Sequence, residues 1–402
     1  MRSFNLAGLV AVFCLPSMLA QADDMTDDEG KYWVQLRYRY EFVDQDPFAK
    51  DANASTLRAR VGAETAKSHG WNLLLEADYI TEAWSSDFND GVTQNPDRLQ
   101  YPAVIDPKGA DLNQGFVQYT DDWGRVRIGR QRINFDNQRF VGAVGWRQHE
   151  QTFDALGVQF GGNQQPWRVD YAYVNQVKRI FGQSNPGGRH DHDTHLLNGG
   201  YSLGDWGDLG AYYYQIDNDD AAAQSTQTFG ARWKASRPWG DNTVSWLVEA
   251  ATQSDFDNNP VDYSAEYFRL DGNINFGNVK AGLGYEVLSG DANKPGASFR
   301  TPLATLHAFN GWADAFLATP DQGLQDTFAS VSGSIEGWNW AAIYHDFSAE
   351  SGSGGFGDEL DMSLSRKFGS HVTGLLKYAH YQGGSLGQAD RDKIWLMMTA
   401  NW

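Results

Sequence analysis

The sequence contains a single cysteine and no long hydrophobic run. Cys14 lies within the first 22 residues of a chain of 402. No later stretch approaches the roughly 18 consecutive apolar residues of a membrane-spanning helix. Disulfide bonds and helical membrane spans are therefore excluded for residues 23–402, and another principle must stabilise the fold.

Two common signatures of catalysis are also missing. The sequence has no glycine-rich phosphate-binding loop, and beyond Cys14 it has no cysteine nucleophile. We therefore expect a protein that is not an enzyme and needs no cofactor. A hydrolase embedded in a barrel is a remote alternative.

The first 22 residues have the pattern of a secretory signal. Arg2 provides a positive charge, Leu6–Leu15 form a short apolar core, and small residues surround a plausible cleavage site at Ala20–Ala22. The apolar core is too short to span a bilayer as a helix. The sequence therefore predicts a signal peptide over 1–22 and a single exported domain over 23–402.

Aromatic residues and glycine are abundant in this chain. There are 15 Trp, 18 Tyr, 22 Phe and 43 Gly, and the mean hydropathy is −0.53. A hydrophilic average is also what strict alternation produces when one face of a strand meets lipid and the other meets water. Together with the signal segment, this composition indicates a β-barrel of the Gram-negative outer membrane.

The charge is strongly acidic but unevenly distributed. The chain has 32 Lys and Arg against 51 Asp and Glu, which gives a net charge of −19. Between residues 31 and 180 the two signs nearly balance, with 18 basic and 19 acidic residues. The first half of the chain therefore holds a concentration of arginine that the total conceals.

The last ten residues, Lys393–Trp402, alternate strictly between apolar and mixed positions. A period of two predicts a strand, and about ten residues are enough for a tilted strand to cross a bilayer. The aromatic Trp402 at the end resembles the final strand of outer-membrane barrels, which the barrel assembly machinery recognises.

The same alternation recurs along the chain, as in Tyr32–Phe42, Thr56–Glu64 and Trp71–Tyr79. Short polar turns and long polar loops alternate between these segments, which is typical of bacterial outer-membrane barrels. The fold class predicted is all-β: a transmembrane antiparallel barrel of about 18 strands, with short periplasmic turns and long extracellular loops.

Two segments carry a family resemblance. The run Gly129–Gly142, followed by Trp146–Gln148 and Gln151–Asp154, resembles the alginate export porin family of the outer membrane. The segment Thr301–Asp314 resembles the same family. The resemblance implies an 18-stranded monomeric barrel with an arginine-rich lumen that carries a polyuronate.

Arginines provide the candidate solute pathway. A guanidinium group binds carboxylates in a bidentate manner, and a low-dielectric wall focuses its field. Alternation places the first six of the candidates on the water-filled side, and the last two come from the resemblance. The candidates are Arg37, Arg39, Arg58, Arg60, Arg125, Arg127, Arg130 and Arg132.

Four acids on the same inner face leave an alternative open. Glu41, Glu64, Glu76 and Asp78 could neutralise the arginines by cross-strand pairing, as in any polar barrel wall. In that case the chain would be a general or substrate-specific uptake porin. Otherwise we expect a channel for anionic sugars such as uronates, small or polymeric.

The longest loop, 289–323, is too long to be a simple connector. Apolar residues between Thr305 and Leu317 have roughly helical spacing. We expect this loop to enter the lumen as a constriction, although a surface cap that contacts lipopolysaccharide is an equal alternative. The candidate constriction residues are Thr301, His307, Asn310, Trp312 and Asp314.

His190, His192 and His195 lie close together in the sequence, among aspartates. Imidazole and carboxylate ligands suit zinc, so these histidines are a weak metal candidate, but a polar loop entering a strand explains them better. The expected partners are outer-membrane lipid, lipopolysaccharide, the assembly machinery and an acidic solute. Nucleic acid is not an expected partner.

Overall fold

The structure, a computed structural model, describes residues 29–93, 95–162, 165–387 and 389–402. The predicted signal peptide lies outside these residues. The described chain forms 18 strands in sequence order, with three short 3-10 turns. The strands are β1 (Lys31–Gln45), β2 (Ala52–Glu64), β3 (Trp71–Asp87), β4 (Gly109–Asp121), β5 (Gly124–Gln131), β6 (Thr152–Gly161), β7 (Trp167–Lys178), β8 (Arg189–Ser202), β9 (Asp208–Ile216), β10 (Thr226–Trp239), β11 (Asn242–Asp255), β12 (Ser264–Phe276), β13 (Val279–Leu288), β14 (Leu324–Ile335), β15 (Trp338–Ser348), β16 (Gly355–Phe368), β17 (Val372–Gly383) and β18 (Arg391–Asn401).

Each strand pairs with its sequence neighbours in antiparallel orientation, and β18 pairs with β1. The closing ladder runs from Gln35 opposite Asn401 to Gln45 opposite Arg391. Trp402 extends the seam, because its N–H donates to the Val34 carbonyl and its own carbonyl accepts from the Val34 N–H. The sheet therefore closes on itself, and the predicted barrel of 18 strands is confirmed.

The described residues include no helix long and apolar enough to cross a membrane. Several strands are longer than the alternation predicted. The first predicted segment, Tyr32–Phe42, is part of a strand that continues to Gln45, and the ladder between β2 and β3 continues to Asn53 opposite Asp87. The extra pairs lie at the end with the long loops, where polar residues break the apolar alternation, and the β2–β3 ladder continues there past a register shift between Ala54 and Thr56.

Alternation sorts the side chains as expected. On β1, Tyr32, Val34 and Leu36 face outward and are exposed, whereas Arg39 and Glu41 face inward and are buried. Similar outward rows recur around the barrel, which gives a continuous apolar exterior for lipid. Both described chain ends lie at the end of the barrel that carries the short turns.

Two long loops fill the middle of the barrel. The first inward loop comprises residues 132–151 between β5 and β6, and the second comprises residues 289–323 between β13 and β14. They meet in a parallel bridge between Val141 and Leu303, and the Gly142 N–H donates to the Leu303 carbonyl at 2.9 Å. The buried core consequently lies inside the barrel, where these loops pack on the wall.

Glycine on inward faces leaves room for large rings of the wall. A Cβ at Gly284 would lie 2.0 Å from the ring of Phe328, and one at Gly230 would lie 2.3 Å from the ring of Tyr212. Each glycine lies directly opposite its aromatic residue in the ladder, and the ring occupies the space that a glycine side chain leaves free. A cross-strand glycine–aromatic pair covers backbone that the glycine leaves bare.

The seam between β1 and β18 yields the first prediction. Removing Ile394–Trp402 takes away most of the partner residues of β1 and leaves open strand edges, which cannot persist in lipid. We expect the truncated protein to remain unassembled in the periplasm. Membrane fractionation, together with heat-dependent electrophoretic mobility, checks this, and normal insertion of the truncated chain would contradict it.

Candidate solute pathway

Arginines of β1 and β2 hold the first inward loop. Arg37 and Arg58 lie directly opposite each other in the ladder, which places two like charges side by side. The Arg37 guanidinium donates to the carbonyls of Gly145 and Arg147 at 3.1 and 3.2 Å. Arg58 donates to the Gln148 carbonyl at 3.0 Å. Loop carbonyl groups therefore offset the repulsion between the two cations.

Arg39 completes this set of anchors. Its guanidinium donates to the Trp146 carbonyl at 2.6 Å and lies 4.1 Å from the centroid of the Trp146 ring. Glu41 and Asp106 each lie 3.5 Å from it. Arg39 is 1% exposed and Arg58 is 0% exposed. The prediction that these two line an open anion pathway is wrong, because the loop covers them and uses them as anchors.

A cluster of two arginines and three acids lies beside these anchors. Arg60 binds Asp78 through two hydrogen bonds of 2.6 and 2.7 Å and contacts Glu150 at 2.8 Å. Arg132 contacts Glu76 at 2.6 Å and Glu150 at 2.5 Å. Burial alone would raise the pKa of Glu150, but Arg132, Arg60 and Arg58 outweigh it and hold that pKa well below its usual value.

Three of the four predicted lumen acids pair with arginine. Glu76 and Asp78 belong to the cluster above, and Glu41 lies 3.3 Å from Arg147 of the first inward loop. Glu64 instead accepts a hydrogen bond from Asn72. Acids therefore neutralise Arg39 and Arg60 in the structure, which is the alternative that the sequence left open.

Arg125 and Arg127 have a different environment. Arg127 donates to the side-chain carbonyl of Gln118 at 3.0 and 2.6 Å, and Arg125 donates to that of Gln159 at 2.9 Å. Among the described residues, neither guanidinium has a carboxylate within 4.0 Å. Their charges are therefore held by neutral amides, while Asp170 and Glu64 act on them only from beyond ion-pair distance. Charges without a carboxylate in direct contact are here called uncompensated.

These two arginines line a cavity of about 290 Å³, here named the arginine cavity. It lies between the inner faces of β4, β5, β6 and β7 and the start of the first inward loop. Its only lining acid, Asp170, is already bound by Arg168 at 2.5 and 2.8 Å. Side chains that define its walls are those of Gln114, Arg125, Arg127, Gln131, Arg132, Ile133, Asn134, Phe135, Gln159, Arg168, Asp170 and Ala172.

Arg130 does not join this cavity. It binds Asp154 through hydrogen bonds of 2.7 and 3.0 Å and donates to the Leu112 carbonyl and to Gln183. The eight predicted arginines thus fall into separate groups. Three anchor a loop, two belong to an ion cluster, one is paired with Asp154, and two keep uncompensated charge.

The second inward loop enters the lumen, as one of the two sequence alternatives proposed. His307, Asn310, Trp312 and Asp314 are all buried against the wall. Although the apolar residues between Thr305 and Leu317 have roughly helical spacing, the only helical element in this segment is a 3-10 turn at Leu306–Ala308. Contacts with several strands, rather than one helical face, determine which apolar residues of this loop are buried.

Acids of β16 hold the second inward loop by its backbone. The Ala313 N–H donates to Glu359 at 2.6 Å, and the Trp312 N–H donates to Asp361 at 3.1 Å. A Cβ at Gly311 would lie 2.3 Å from Glu359, and this glycine has a φ of +83°. Glycine is needed here because both the backbone conformation and the close approach exclude a side chain.

Asp314 connects this loop to the barrel and to the first inward loop. It binds Lys393 of β18 at 2.9 Å and Arg147 at 3.2 Å. Its other oxygen accepts from His307 Nδ1 at 2.7 Å, while His307 Nε2 accepts from Lys377 at 2.8 Å. Burial and the Lys377 charge hold the pKa of His307 well below its usual value, so the imidazole is neutral at neutral pH.

Trp146 occupies the centre of the contact between the two loops. Its ring stacks on His307 with the centroids 4.4 Å apart, and the Lys377 ammonium lies 4.4 Å from the ring centroid. The same ammonium lies 3.6 Å from the ring of Trp312. Aromatic rings thus surround a buried cation, which cation–π attraction stabilises.

Asn310 joins a second set of contacts across the lumen. It donates to Glu286 at 2.7 Å, and Arg139 of the first inward loop binds the same carboxylate at 2.8 Å. Thr301 is half-buried and takes part in a turn, with its carbonyl bonded to the Ala304 N–H. Arg139, Trp146, Arg147 and Glu150 were not assigned a role from the sequence, although they lie in or beside the family-like run.

The three histidines proposed as a weak metal site do not converge. They lie on strand β8 rather than in a loop. Because side chains alternate along a strand, His190 and His192 face one side of the sheet and His195 faces the other. His195 packs against Tyr171 and Tyr173, and His192 is buried beside Thr194. In the part of the chain that the structure describes, no group of three or more potential ligands could hold a metal ion.

One pentapeptide, Gly383–Gly387, fits the pattern G-x-S-x-G that hydrolases use around a serine nucleophile. It lies at the end of β17 and in the following loop. The Ser385 hydroxyl contacts the backbone N–H and carbonyl of Gly355 at 3.2 and 3.4 Å. Its geometry is that of a loop contact, not of a strand-to-helix turn that presents a nucleophile.

The closed barrel, its apolar exterior and its charged interior define an outer-membrane channel. Within that class, the sequence profile of the alginate export family matches residues 28–293, which is more than half of the chain. The chain therefore belongs to the alginate export family. None of the curated protein sequences compared with it matches significantly.

Solved porin structures share the fold over nearly the whole chain. OccK9 (OpdG) of Pseudomonas aeruginosa is similar with a TM-score of 0.74 and 12% identity, covering 92% of this chain and 98% of that one. OccAB4 of Acinetobacter baumannii gives 0.72 and 13%, covering 93% and 98%. OpdK of P. aeruginosa, solved with vanillate, gives 0.71 and 12%, covering 92% and 98%. At these identities the likeness establishes the barrel fold.

Removing residues 298–320 tests the constriction. The Gly296 N–H donates to Asp321 at 2.7 Å, so the two cut ends already lie together. Because the deleted segment fills the lumen, we expect single-channel conductance to rise several-fold in planar bilayers. Retained heat-modifiability serves as the control for an intact barrel. Unchanged conductance would mean that the loop does not restrict the pore.

Glu150 provides a test of the arginine anchors by pH. Its pKa in the folded protein is lowered, so its stabilising effect is complete above the unfolded value of about 4.3 and is lost as pH falls through the folded pKa. We expect hydrogen exchange in 142–151 to stay slow at neutral pH and to accelerate only in strong acid. Glu150→Gln should accelerate it at neutral pH, at a cost of roughly 3 kcal/mol.

The matched control for Glu150→Gln is Glu336→Gln, at an exposed turn between β14 and β15. This variant should leave exchange in 142–151 unchanged. Equal protection of the loop in both variants at neutral pH would show that the arginine cluster does not hold it.

Proposed function

We propose that the protein is a passive, anion-selective channel for small acidic solutes, with monomeric or short uronates as the solute class that its family suggests. The observation that carries the proposal is the pair Arg125 and Arg127, whose charges face the arginine cavity and are bound only by amides among the described residues. A carboxylate would gain charge-assisted hydrogen bonds there.

The two inward loops favour small solutes over polymers. They contact each other through Arg147 and Asp314 and through the backbone at Gly142 and Leu303, so the middle of the lumen is filled by protein. A long polyuronate would require both loops to leave the lumen together. A small acid needs only local movement beside them.

The net charge of −19 does not contradict an anion preference. Many of the acids lie in loops at the extracellular end, such as Asp217, Asp219 and Asp220. Beyond a Debye length of about 8 Å such charges act weakly on an ion in the pore. OpdK, a barrel of the same fold, was solved with vanillate, which is a small carboxylate, and this supports the proposal of a small acidic solute.

Ion selectivity tests the proposal. In planar bilayers under a salt gradient, the reversal potential of the unmodified channel should indicate a preference for anions. Replacing both Arg125 and Arg127 with Gln should shift it by several millivolts toward cations, because these two charges are uncompensated. Their amide partners keep the new side chains hydrogen-bonded, so the barrel should assemble normally.

Arg366→Gln is the matched control, because Arg366 shares the lipid-facing parity of Leu364 and lies over the ring of Trp338 at 5.2 Å. It should leave the reversal potential unchanged. Cation selectivity of the unmodified channel would contradict the proposal and favour a general or cation-conducting uptake porin dominated by its acids.

We also propose how the protein is exported and assembled, and what it contacts in the membrane. Met1–Ala22 direct export and are removed, the assembly machinery recognises the strand that ends at Trp402, and the mature barrel is a monomer without catalytic activity. Its exterior contacts membrane lipid along the barrel and lipopolysaccharide at the extracellular end. The apolar outward rows support the lipid contact.

A further inference from the structure

The arginine cavity is lined by side chains of different chemical kinds. Arg125 and Arg127 form what is here called its charged wall, and Ile133 and Phe135 of the first inward loop, together with Ala172 of β7, form what is called its apolar wall. Both Ile133 and Phe135 are largely buried, and the amides of Gln114, Gln131, Asn134 and Gln159 also belong to the lining. Charged and apolar surface thus share a space of about 290 Å³.

The charged wall has donors to spare. Among the described residues, Arg125 donates one hydrogen bond to Gln159, and Arg127 donates two to Gln118. A guanidinium group carries five N–H donors, so most of those on Arg125 and several on Arg127 are left for a ligand. Arg127 is also fixed in direction, because its guanidinium lies 4.2 Å from the ring centroid of Phe116.

The apolar wall is equally fixed. The ring of Phe135 stacks on Tyr214 of β9, with an interplanar angle of 14° and the centroids 6.0 Å apart. Because the first inward loop is anchored by Arg37, Arg39 and Arg58, its apolar side chains keep their position relative to the arginines. The spacing between charge and apolar surface is therefore a property of the folded protein.

We propose that this cavity binds a small carboxylate with a hydrocarbon body, such as a ring or a branched alkyl group. The carboxylate binds Arg125 and Arg127, and the body packs against Ile133 and Phe135. This inference rests on the proposed anion channel, and it assigns the arginine cavity to acids with an apolar body rather than to the uronates that the family suggests. Hydroxyl groups of a sugar acid that lay against Ile133 and Phe135 would lose hydrogen bonds to water, and these two side chains could not replace them.

Calorimetric titration of the purified full-length barrel in detergent tests this assignment. The probes are benzoate, cyclohexanecarboxylate, glucuronate and benzyl alcohol. Benzoate and cyclohexanecarboxylate should bind, glucuronate should bind at least about tenfold more weakly, and benzyl alcohol should not bind measurably. The difference follows from the burial of one ring against apolar surface.

Two variants locate the site. Phe135→Ala should weaken benzoate binding by about two- to tenfold, the range expected for one aromatic contact, while acetate binding stays unchanged. Ile133→Thr is a smaller change that keeps the branched shape, and it should weaken cyclohexanecarboxylate without loosening the loop. Phe229→Ala on the lipid-facing side is the matched control and should bind benzoate as the unmodified protein does.

The outcomes separate this inference from the proposed function. Anion selectivity combined with equal affinity for benzoate and glucuronate would overturn the inference and leave the channel proposal intact. Cation selectivity without binding of any acid would overturn both. Benzoate binding that Arg125→Gln abolishes and Phe135→Ala weakens, with the reversal potential of the Phe135 variant unchanged, would support the assignment.

Discussion

Every backbone N–H and C=O group of a strand in hydrocarbon must find a partner within the protein, and this requirement determines the architecture. A sheet with an edge would leave a row of unpaired groups in lipid, at several kcal/mol for each group. Closure between β1 and β18 removes the edge. Once the ladder is closed, the pleat alone decides which residues meet lipid and which meet the interior.

The interior then faces a second problem, because the inward loops take charged side chains out of water. Arg37 and Arg58 would repel each other across the ladder, yet they hold carbonyls of the first inward loop. Breaking one member of such a buried set costs much more than a surface pair would contribute. The arginine-rich strands are therefore better explained as anchors for a loop than as an open pathway for anions.

The sequence alone predicted the barrel well, since a period of two over about ten residues depends only on the backbone and on lipid. The strand number, the alternation of short and long connections and the inward parity of Arg37 or Arg125 all follow from it. The paths of the two inward loops could not be predicted in this way. Loop residues such as Arg147 and Glu150 have no periodicity, and their partners lie on strands about 100 residues away in the sequence.

The same limit explains the errors about particular residues. Parity tells which face Arg39 occupies but not whether a loop covers that face. The apolar residues of 305–317 have roughly helical spacing, yet the segment contains only a 3-10 turn, and Phe316 packs against rings of three different strands. His190 and His195 are close in sequence, but on a strand their opposite parity separates them.

The two loops show how the lumen uses charge of both signs. Basic side chains of β1 and β2 donate hydrogen bonds to carbonyls of the first inward loop, and acidic side chains of β16 accept hydrogen bonds from N–H groups of the second. Most of these charged side chains are therefore engaged in hydrogen bonds to the loop backbone. What remains for a solute is the charge that no loop uses, and at Arg125 and Arg127 that charge is bound only by amides. Selectivity in such a barrel therefore depends on the few uncompensated groups, rather than on net charge or on the number of arginines in its wall.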